Sequence, residues 1–313
     1  MSSNAKISIV SLFIGLMACM IFSCSPHKVY PRLGKEVIVL KGNPGTWDEN
    51  EVHTLSVVVA NRSDYKYWGY YGLAYYDDSA EQGKAGLAWS NDLIHWVKYP
   101  GNPIIKSNCR WPSLVFVNGI FHMFYAQYDS NVESCIVRVS SKDGIHFSQE
   151  QLVVPLEAGF QNQNPFIYLN PTDQCYYLFY YHGKEHGTGE KIWSIYVKVA
   201  KDVTQLDQSP PIELLSSPYT IAAPSIAYYN GRYYLAVEAL IPGQWDDKWI
   251  EKTYESSSLT AGFKEMENSP ILTDDDACGF QYVFDGKLYL FYSHCYDHEN
   301  NFWDLRMVSD RND

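Results

Sequence analysis

Twelve polar and aromatic residues occur near corresponding positions of a sequence pattern that repeats along this 313-residue chain. Carboxylates, amides and imidazoles hydrogen-bond to hydroxyl groups, whereas indole rings pack against flat C–H faces. Gathered at one place, this mixture of side chains would suit the binding of a sugar. The twelve are Asp48, His53, Arg110, Trp111, Gln127, Gln163, Asn164, His182, Glu238, Asp276, His294 and Asp297.

The repeated pattern is a short apolar run, a tight turn and an aromatic-rich run, and it occurs five times. Three of the turns are Asn118-Gly119, Asn230-Gly231 and Asp285-Gly286. These dipeptides accept a positive φ at both central turn positions, so they join antiparallel strands with the natural twist. The five predicted hairpins span 56–68, 112–125, 165–180, 224–235 and 280–292.

The period of the pattern predicts the fold. Corresponding residues His53, Arg110, Gln163, Ala223 and Cys278 are separated by 57, 53, 60 and 55 positions. This near-constant spacing slightly exceeds the ~40 to 50 residues of a four-stranded propeller blade. We therefore predict an all-β fold, a five-bladed β-propeller over residues 35–313. An N-terminal strand at 35–40 is expected to close the ring as the outer strand of the fifth blade.

Propeller geometry would bring the twelve side chains to one rim. A hairpin reverses the chain, so the start of each innermost strand and the end of the next strand lie at the same face. Counting from the turns places Arg110 opposite Gln127 and Ala223 opposite Glu238. The predicted substrate-binding residues are His53, Arg110, Trp111, Gln127, Gln163, Asn164, His182, His294 and Asp297.

Ordinary structural roles remain the alternatives for single residues of this rim. The alternative role of Trp111 is packing between blades, and that of Arg110 is an ion pair with a neighbouring aspartate. The alternative role of Asp48 and Glu51 is to cap a loop. The acidic run 274–276 is interpreted as a solvated loop, with a bound hard cation as the alternative.

Charge and composition exclude some partners. The net charge is −12 and the few Lys and Arg residues are scattered, so no basic stripe exists to neutralise phosphates. This pattern excludes a nucleic-acid partner and favours a neutral substrate over an anionic one. We expect a monomer that needs no cofactor.

The N-terminus predicts export. An apolar run from Ile7 to Ser23 follows Lys6, is short for a membrane span, and ends immediately before Cys24, an arrangement that resembles a bacterial lipoprotein signal. We therefore predict a signal peptide over 1–23, lipidation at Cys24 and a tether over 24–34. The protein would then be anchored in the bacterial cell envelope, facing the periplasm or the cell surface. Cleavage before Cys19 and an uncleaved anchor are the alternatives.

The five cysteines that remain after Cys24 are an odd number without metal-ligand spacing. We interpret them as small buried residues and predict no metal ligands. They are Cys109, Cys135, Cys175, Cys278 and Cys295.

Five blades, the hairpin pattern and the segment Ser-Asn-Asp-Leu-Ile-His-Trp at 90–96 together resemble the five-bladed propeller glycosidases. These are the group around glycoside hydrolase family 43 and the related family 32. The resemblance covers residues 35–313 in architecture and implies hydrolysis of a glycosidic bond in a central funnel.

The family's usual acids are absent from this chain. An aspartate at the start of blade one, an aspartate before the blade-three proline and a glutamate two residues before the blade-four proline are replaced by Thr54, Asn164 and Ala222. Glycoside hydrolysis generally needs one carboxyl group to protonate the leaving oxygen and another to activate water or attack carbon. The chemistry has therefore either moved to other carboxyl groups or been lost.

Glu238 is the candidate for a moved acid, because the hairpin count places it one rung from Ala222. Its apolar neighbours Val237, Ala239 and Leu240 are expected to raise its pKa. Asp48 is preferred over Asp276 and Asp297 as its partner, since it precedes blade one, where the family has its base. His53, His182 and His294 are the alternatives to a carboxyl group in proton transfer.

The predicted function is a glycoside hydrolase that acts on an oligosaccharide or a polysaccharide side chain. One alternative is a catalytically inactive carbohydrate-binding lipoprotein on the same fold. A third possible class of function is a phosphorylase or lyase with the same fold.

Overall fold

The computed structural model describes residues 29–62, 64–73, 83–130, 133–184 and 192–310. The predicted signal peptide and the predicted lipidation residue Cys24 lie outside these residues. None of the helices in the described part of the chain is long and apolar enough to cross a membrane.

The described residues form five antiparallel sheets of four strands each, which are the blades. Blade 1 contains β2 (His53–Arg62), β3 (Tyr65–Gly72), β4 (Ala85–Ser90) and β5 (Val97–Lys98). Blade 2 contains β6 (Arg110–Val117), β7 (Ile120–Ser130), β8 (Glu133–Ser141) and β9 (Gln151–Val154). Blade 3 contains β10 (Gln161–Leu169), β11 (Tyr176–Lys184), β12 (Ile192–Ala200) and β13 (Ile212–Ser217).

Blade 4 contains β14 (Thr220–Tyr229), β15 (Arg232–Leu240), β16 (Ile250–Ser256) and β17 (Lys264–Glu265). Blade 5 combines β18 (Asp276–Phe284), β19 (Lys287–Asp297) and β20 (Phe302–Ser309) with the first strand, β1 (Val37–Leu40). Two short 3-10 helices cover Val203–Gln208 and Trp245–Asp247.

The ring closes through β1, which pairs antiparallel with β20. Val37 lies opposite Met307 and Leu40 lies opposite Leu305. The first strand therefore completes the blade that the end of the chain begins. The prediction of an all-β, five-bladed propeller closed by an N-terminal strand is confirmed.

The core lies between neighbouring blades and is rich in aromatic rings. Between blades 1 and 2, Trp68 and Phe121 stack at 5.4 Å between ring centroids, and Tyr70 lies beside them. Burying side chains of this size stabilises the folded state by roughly 2–3 kcal/mol each.

Serine hydroxyls tie the innermost strands of adjacent blades together. Ser56 of blade 1 accepts a hydrogen bond from the Leu114 N–H of blade 2 at 2.8 Å, and Ser113 of blade 2 accepts one from Ile167 N–H of blade 3 at 3.0 Å. These bonds satisfy backbone donors at blade interfaces, where water has no access.

Every innermost strand carries the same irregularity near its beginning. Within the first four residues of each of β2, β6, β10, β14 and β18, one residue has a positive φ, and the pairing with the next strand shifts there. A bulge of this kind inserts an extra residue and re-aims the side chains before it. The five bulge residues are Thr54, Trp111, Asn164, Ala223 and Cys278.

The hairpin turns gather at the opposite end of the ring, which we call the turn face. Lys66 of blade 1 pairs with Asp285 in the turn of blade 5 at 2.9 Å, and Arg62 donates to the Gly119 carbonyl of the blade 2 turn. Asn118, Asn230 and Asp285 all have a positive φ, as the turn prediction requires.

The segment before β1 packs against the propeller near the turn face. Tyr30 is 1% exposed between blades 4 and 5, and its hydroxyl donates to the Gln281 side chain at 2.6 Å. Gly34 N–H donates to the Ser309 carbonyl. The described part of the predicted tether, residues 29–34, is therefore docked on the fold.

Candidate active site

A small cavity of about 60 Å³ lies at the bulged end of the innermost strands. Its walls come from blades 1, 2, 4 and 5, so it lies where the blades converge. Two carboxyl groups, one imidazole and three indole rings share this space. The lining residues are Glu51, His53, Trp111, Glu238, Trp249, Ala277, Cys278, Asn301 and Trp303.

Glu238 lies in β15 and pairs directly with Ala222 of β14. Paired residues place their Cβ atoms about 5 Å apart on one face of the sheet, so the Glu238 carboxyl extends beside the Ala222 position. The Cys278 N–H donates to Glu238 Oε2 at 2.7 Å. Burial raises the pKa of Glu238 from 4.5 to about 7, although that hydrogen bond opposes the rise. This carboxyl group can hold a proton at neutral pH.

Glu251 of β16 is a second buried carboxyl group next to Glu238. The two residues pair directly across β15 and β16, and Glu251 is fully buried. Its carboxyl lies against Gly279, where a Cβ atom would come within 2.6 Å of Glu251 Oε1. Burial, and then the charge of Glu238, raise the pKa of Glu251 well above its ordinary value. Two like groups in such surroundings do not both ionise, so the pair retains a proton at neutral pH.

Glu51 and His53 form a buried pair on the blade 1 wall of the cavity. His53 Nε2 lies 3.1 Å from Glu51 Oε1. Burial lowers the pKa of His53 to about 3, so the imidazole is neutral and its Nε2–H donates to the Glu51 carboxylate. His53 Nδ1 has no hydrogen-bond partner among the described residues, which leaves it as an acceptor for a ligand hydroxyl.

Indole rings form the apolar walls of the cavity. The Trp303 ring lies 4.6 Å from the His53 ring between centroids, Trp111 is 2% exposed, and Trp249 is half-buried. Such walls lower the local dielectric, which is consistent with the raised pKa of Glu238.

Asp48, the predicted partner of Glu238, lines a different cavity. Its carboxylate accepts hydrogen bonds from Lys98 Nζ at 2.7 Å, Tyr71 OH at 2.9 Å and Thr46 Oγ1 at 2.6 Å. Burial alone would raise the pKa of Asp48, but the bonds from Lys98, Thr46 and Tyr71 lower it overall. The structure thus gives Asp48 an ion-pairing environment and does not bring it into one cavity with Glu238.

The register predicted at the rim was wrong by one residue. Arg110 pairs with Ala126 where Gln127 was predicted, and Glu238 pairs with Ala222 where Ala223 was predicted. The cause is the bulge in each innermost strand, because an extra residue displaces the count taken from the turn.

The displaced register turns Arg110 and Gln127 toward different neighbours. The Arg110 guanidinium lies 4.3 Å from the centre of the Tyr128 ring, a cation–π contact. Gln127 donates through Nε2 to Glu150 at 2.7 Å.

Of the blade 3 residues of the predicted rim, Gln163 and Asn164 are buried and His182 is half-buried, and none of the three lines the cavity around Glu238. Asn164 is the bulge residue of β10, and the Nε2 of Gln163 has no partner among the described residues. His182 stacks on Phe160 at 4.6 Å between centroids, and its Nδ1 lies 2.9 Å from Asn162 Oδ1.

In blade 5, His294 and Asp297 have local partners. His294 Nδ1 lies 2.9 Å from Asp276 Oδ1. Asp297 caps a turn, because its carboxylate accepts the backbone N–H groups of Glu299 and Asn300. Of the predicted site residues, the structure therefore gathers His53, Trp111 and Glu238 around the cavity.

Sequence reasoning missed Glu251, Trp249 and Trp303, and it assigned Glu51 only to a loop. Glu251 carries a weak signal, because glutamate is depleted in strands and Glu251 is the second residue of the strand Ile250–Ser256. Trp303 comes from β20 and reaches the cavity only because the ring closes.

The fold and the cavity define a five-bladed β-propeller with buried carboxyl groups where its blades converge. No family model matches the sequence, and none of the curated proteins matches it. Solved structures match the fold along most of the chain. The fold likeness to family 43 glycoside hydrolases that the sequence suggested is confirmed.

Three similar structures illustrate the match. A thermostable family-43 glycoside hydrolase is 17% identical, with a TM-score of 0.63 over 86% of this chain and 91% of the other. An endo-arabinase from Bacteroides thetaiotaomicron is 13% identical, with a TM-score of 0.63 over 88% of this chain and 98% of the other. An exo-β-1,3-galactanase from Phanerochaete chrysosporium is 14% identical, with a TM-score of 0.58 over 88% of this chain and 64% of the other.

Proposed function

We propose that this protein is a glycoside hydrolase that acts on an oligosaccharide or a polysaccharide side chain, with Glu238 as its general acid. The observation that carries the proposal is the buried Glu238 carboxyl, whose pKa is raised to about 7 beside the Ala222 position. The fold shared with family 43 hydrolases supports the same reaction class.

In this mechanism, Glu238 donates its proton to the leaving glycosidic oxygen as the bond to the anomeric carbon breaks. The Cys278 N–H then stabilises the carboxylate that forms. Glu251 favours the protonated state of Glu238, because a negative charge on either of these two carboxyl groups disfavours a negative charge on the other.

Glu51 takes the role that the sequence had suggested for Asp48. It lines the same cavity as Glu238, whereas the Asp48 carboxylate is bonded to Lys98. The Glu51 carboxylate, oriented by the neutral His53, activates water or attacks the anomeric carbon. Trp249 offers a half-buried ring for the C–H face of the sugar.

Activity measurements test the proposal. Purified protein would be assayed on aryl glycosides and an oligosaccharide panel that includes arabinan and β-1,3-galactan fragments, chosen from the names of the similar structures. We expect Glu238→Gln to lower kcat/KM about 100- to 10,000-fold and to remove the decline in activity above pH about 7. The exposed Glu299→Gln is the matched control. Sugar release that survives in Glu238→Gln at the original rate would refute the assignment.

A carbohydrate-binding protein without catalysis is the second candidate. It is favoured by Thr54, Asn164 and Ala222 at the family's acid positions, and by the indole walls that remain. Calorimetry with the same panel separates the two functions. Binding without turnover, lost in Trp249→Ala but unchanged in Glu238→Gln, would establish the second.

We further propose that the protein is an envelope lipoprotein, lipidated at Cys24, and a monomer. The apolar run that ends before Cys24 supports the first statement. Labelled fatty acid fed to producing cells is expected to enter the wild-type chain and the Cys19→Ser variant but not Cys24→Ser. Gel filtration of the mature chain tests the prediction that the protein is a monomer.

A further inference from the structure

Beside the cavity, three residues of different chemical type bring possible metal-binding atoms together. Asp275 precedes β18, Cys295 lies near the end of β19, and His298 follows β19. The carboxylate oxygen, thiol sulfur and ring nitrogen of these residues all lie within 4.8 Å of one another.

The backbone holds this cluster in place. Cys295 N–H donates to the Asp275 carbonyl at 3.2 Å, and Trp249 N–H donates to Asp275 Oδ1 at 3.0 Å. A register shift between Cys295 and Asp297 brings His298 back over the strand. The positions of the three possible ligands are therefore held by the segment before β16, the start of β18 and the end of β19.

The arrangement has a closed side and an open side. Cys295 is 3% exposed, whereas the His298 side chain is 57% exposed. His298 Nδ1 lies 2.9 Å from the other carboxylate oxygen, Asp275 Oδ2. An ion could enter from the solvent at His298 and reach the buried sulfur, while the carboxylate of Asp297, next to His298 in the chain, favours a cation.

We propose that Asp275, Cys295 and His298 form a binding site for a divalent cation of the zinc class. A thiolate, an imidazole and a carboxylate are the ligand types that zinc takes, and three protein ligands leave a fourth position for water. Hard cations such as Ca²⁺ require six or more oxygen ligands and do not suit a sulfur donor. The site does not depend on the proposed hydrolase function.

Such an ion would stabilise one edge of the cavity. Asp275 holds the backbone of Trp249, and Cys295 packs in the same cluster as Trp111 and Trp303. Metal bound at the cluster would thus restrain indole rings that line the cavity.

Zinc titration of the full mature chain, stripped of metal with a chelator, tests the proposal by calorimetry. We expect one Zn²⁺ per chain, with affinity at least ten-fold lower in His298→Gln. Co²⁺ is expected to give a thiolate charge-transfer band in the near ultraviolet that Cys295→Ser removes. Because Cys295 is buried and its substitution can disturb packing, the exposed His298→Gln carries the test on its own.

The chain offers a matched control in a second exposed pair, His146 and Asp143, whose side chains lie 2.8 Å apart. His146→Gln is expected to leave zinc binding unchanged. Wild-type protein that binds no zinc, or zinc affinity that is the same in His298→Gln as in wild type, would overturn the proposal.

Discussion

At the scale of single residues, sequence context predicted the environment of Glu238 but not that of Asp48. Apolar neighbours on one strand were enough to anticipate the raised pKa of Glu238. The partner of Asp48 is Lys98, fifty positions away, and nothing in the local sequence indicates that contact. Glu51 was missed for the same reason, since only the folded ring joins it to Glu238.

The protonation of Glu238 predicts that the stability difference between the wild type and Glu238→Gln depends on pH. Because its pKa is raised from 4.5 to about 7, its stabilising contribution is complete below pH 4.5 and is lost as pH rises through about 7. Glutamine keeps the uncharged state at every pH. We therefore expect Glu238→Gln to match the wild type near pH 4.5 and to be more stable by about 3 kcal/mol at pH 8. Urea unfolding across this range is the measurement, and an equal difference at both pH values would contradict the burial of an ionisable group.

The ion pair of Asp48 leads to a different expectation. Asp48→Asn leaves the Lys98 ammonium without its carboxylate in a setting where Asp48 is 1% and Lys98 15% exposed. We expect a loss of about 3 kcal/mol in the free energy of unfolding, with kcat of any hydrolase activity nearly unchanged. The exposed pair of Lys66 and Asp285 is the control, and Asp285→Asn is expected to leave the Tm unchanged. A large decrease in kcat in Asp48→Asn, with the free energy of unfolding unchanged, would instead support a catalytic role for Asp48.

At the scale of strands, the hairpins were predictable and the bulges were not. Turn dipeptides and the period of the apolar runs identified five hairpins. The bulge residues Thr54, Trp111, Asn164, Ala223 and Cys278 share no residue type, so no sequence signal marks the extra position. Every rim pairing counted from a turn therefore moved by one residue.

The bulge in blade 4 can be tested with two buried alanines. Ala223 has a φ of +44°, a conformation that glycine adopts without the cost that a side chain brings. We expect Ala223→Gly to change the free energy of unfolding by less than about 0.5 kcal/mol, because relief of strain offsets the lost methyl contacts. Ala236→Gly, in the regular part of β15 and equally buried, is expected to lose about 1–2 kcal/mol. Equal losses in a chemical denaturation series would argue against the bulge.

At the scale of the whole molecule, ring closure depends on the first strand. The sequence predicted this closure, because the last hairpin is followed by too few residues to complete a blade. It did not predict the docking of Tyr30, since a lone tyrosine in a polar, proline-containing segment gives no sign of its partner Gln281.

Two truncations separate these contributions. Removal of residues 1–28 keeps Tyr30, Gly34 and β1 together with their contacts, and is expected to leave the thermal midpoint unchanged. Removal of residues 1–40 also takes away Tyr30 and β1, including buried Val39 and Leu40, and is expected to cost at least about 5 kcal/mol. Similar melting curves for the two truncated chains would mean that β1 does not close the ring.

The docking site of Tyr30 also fixes how the molecule would stand on a surface. Tyr30 contacts Tyr234 near the hairpin end of β15, whereas Glu238 lies toward the other end of the same strand. Six residues from Cys24 to Val29 span at most about 20 Å. A propeller anchored at Cys24, as proposed, would therefore lie with its turn face close to the lipid and with the end that holds Glu238 pointing away from it. The proposed carbohydrate substrate would then reach the Glu238 cavity without passing between the protein and the membrane.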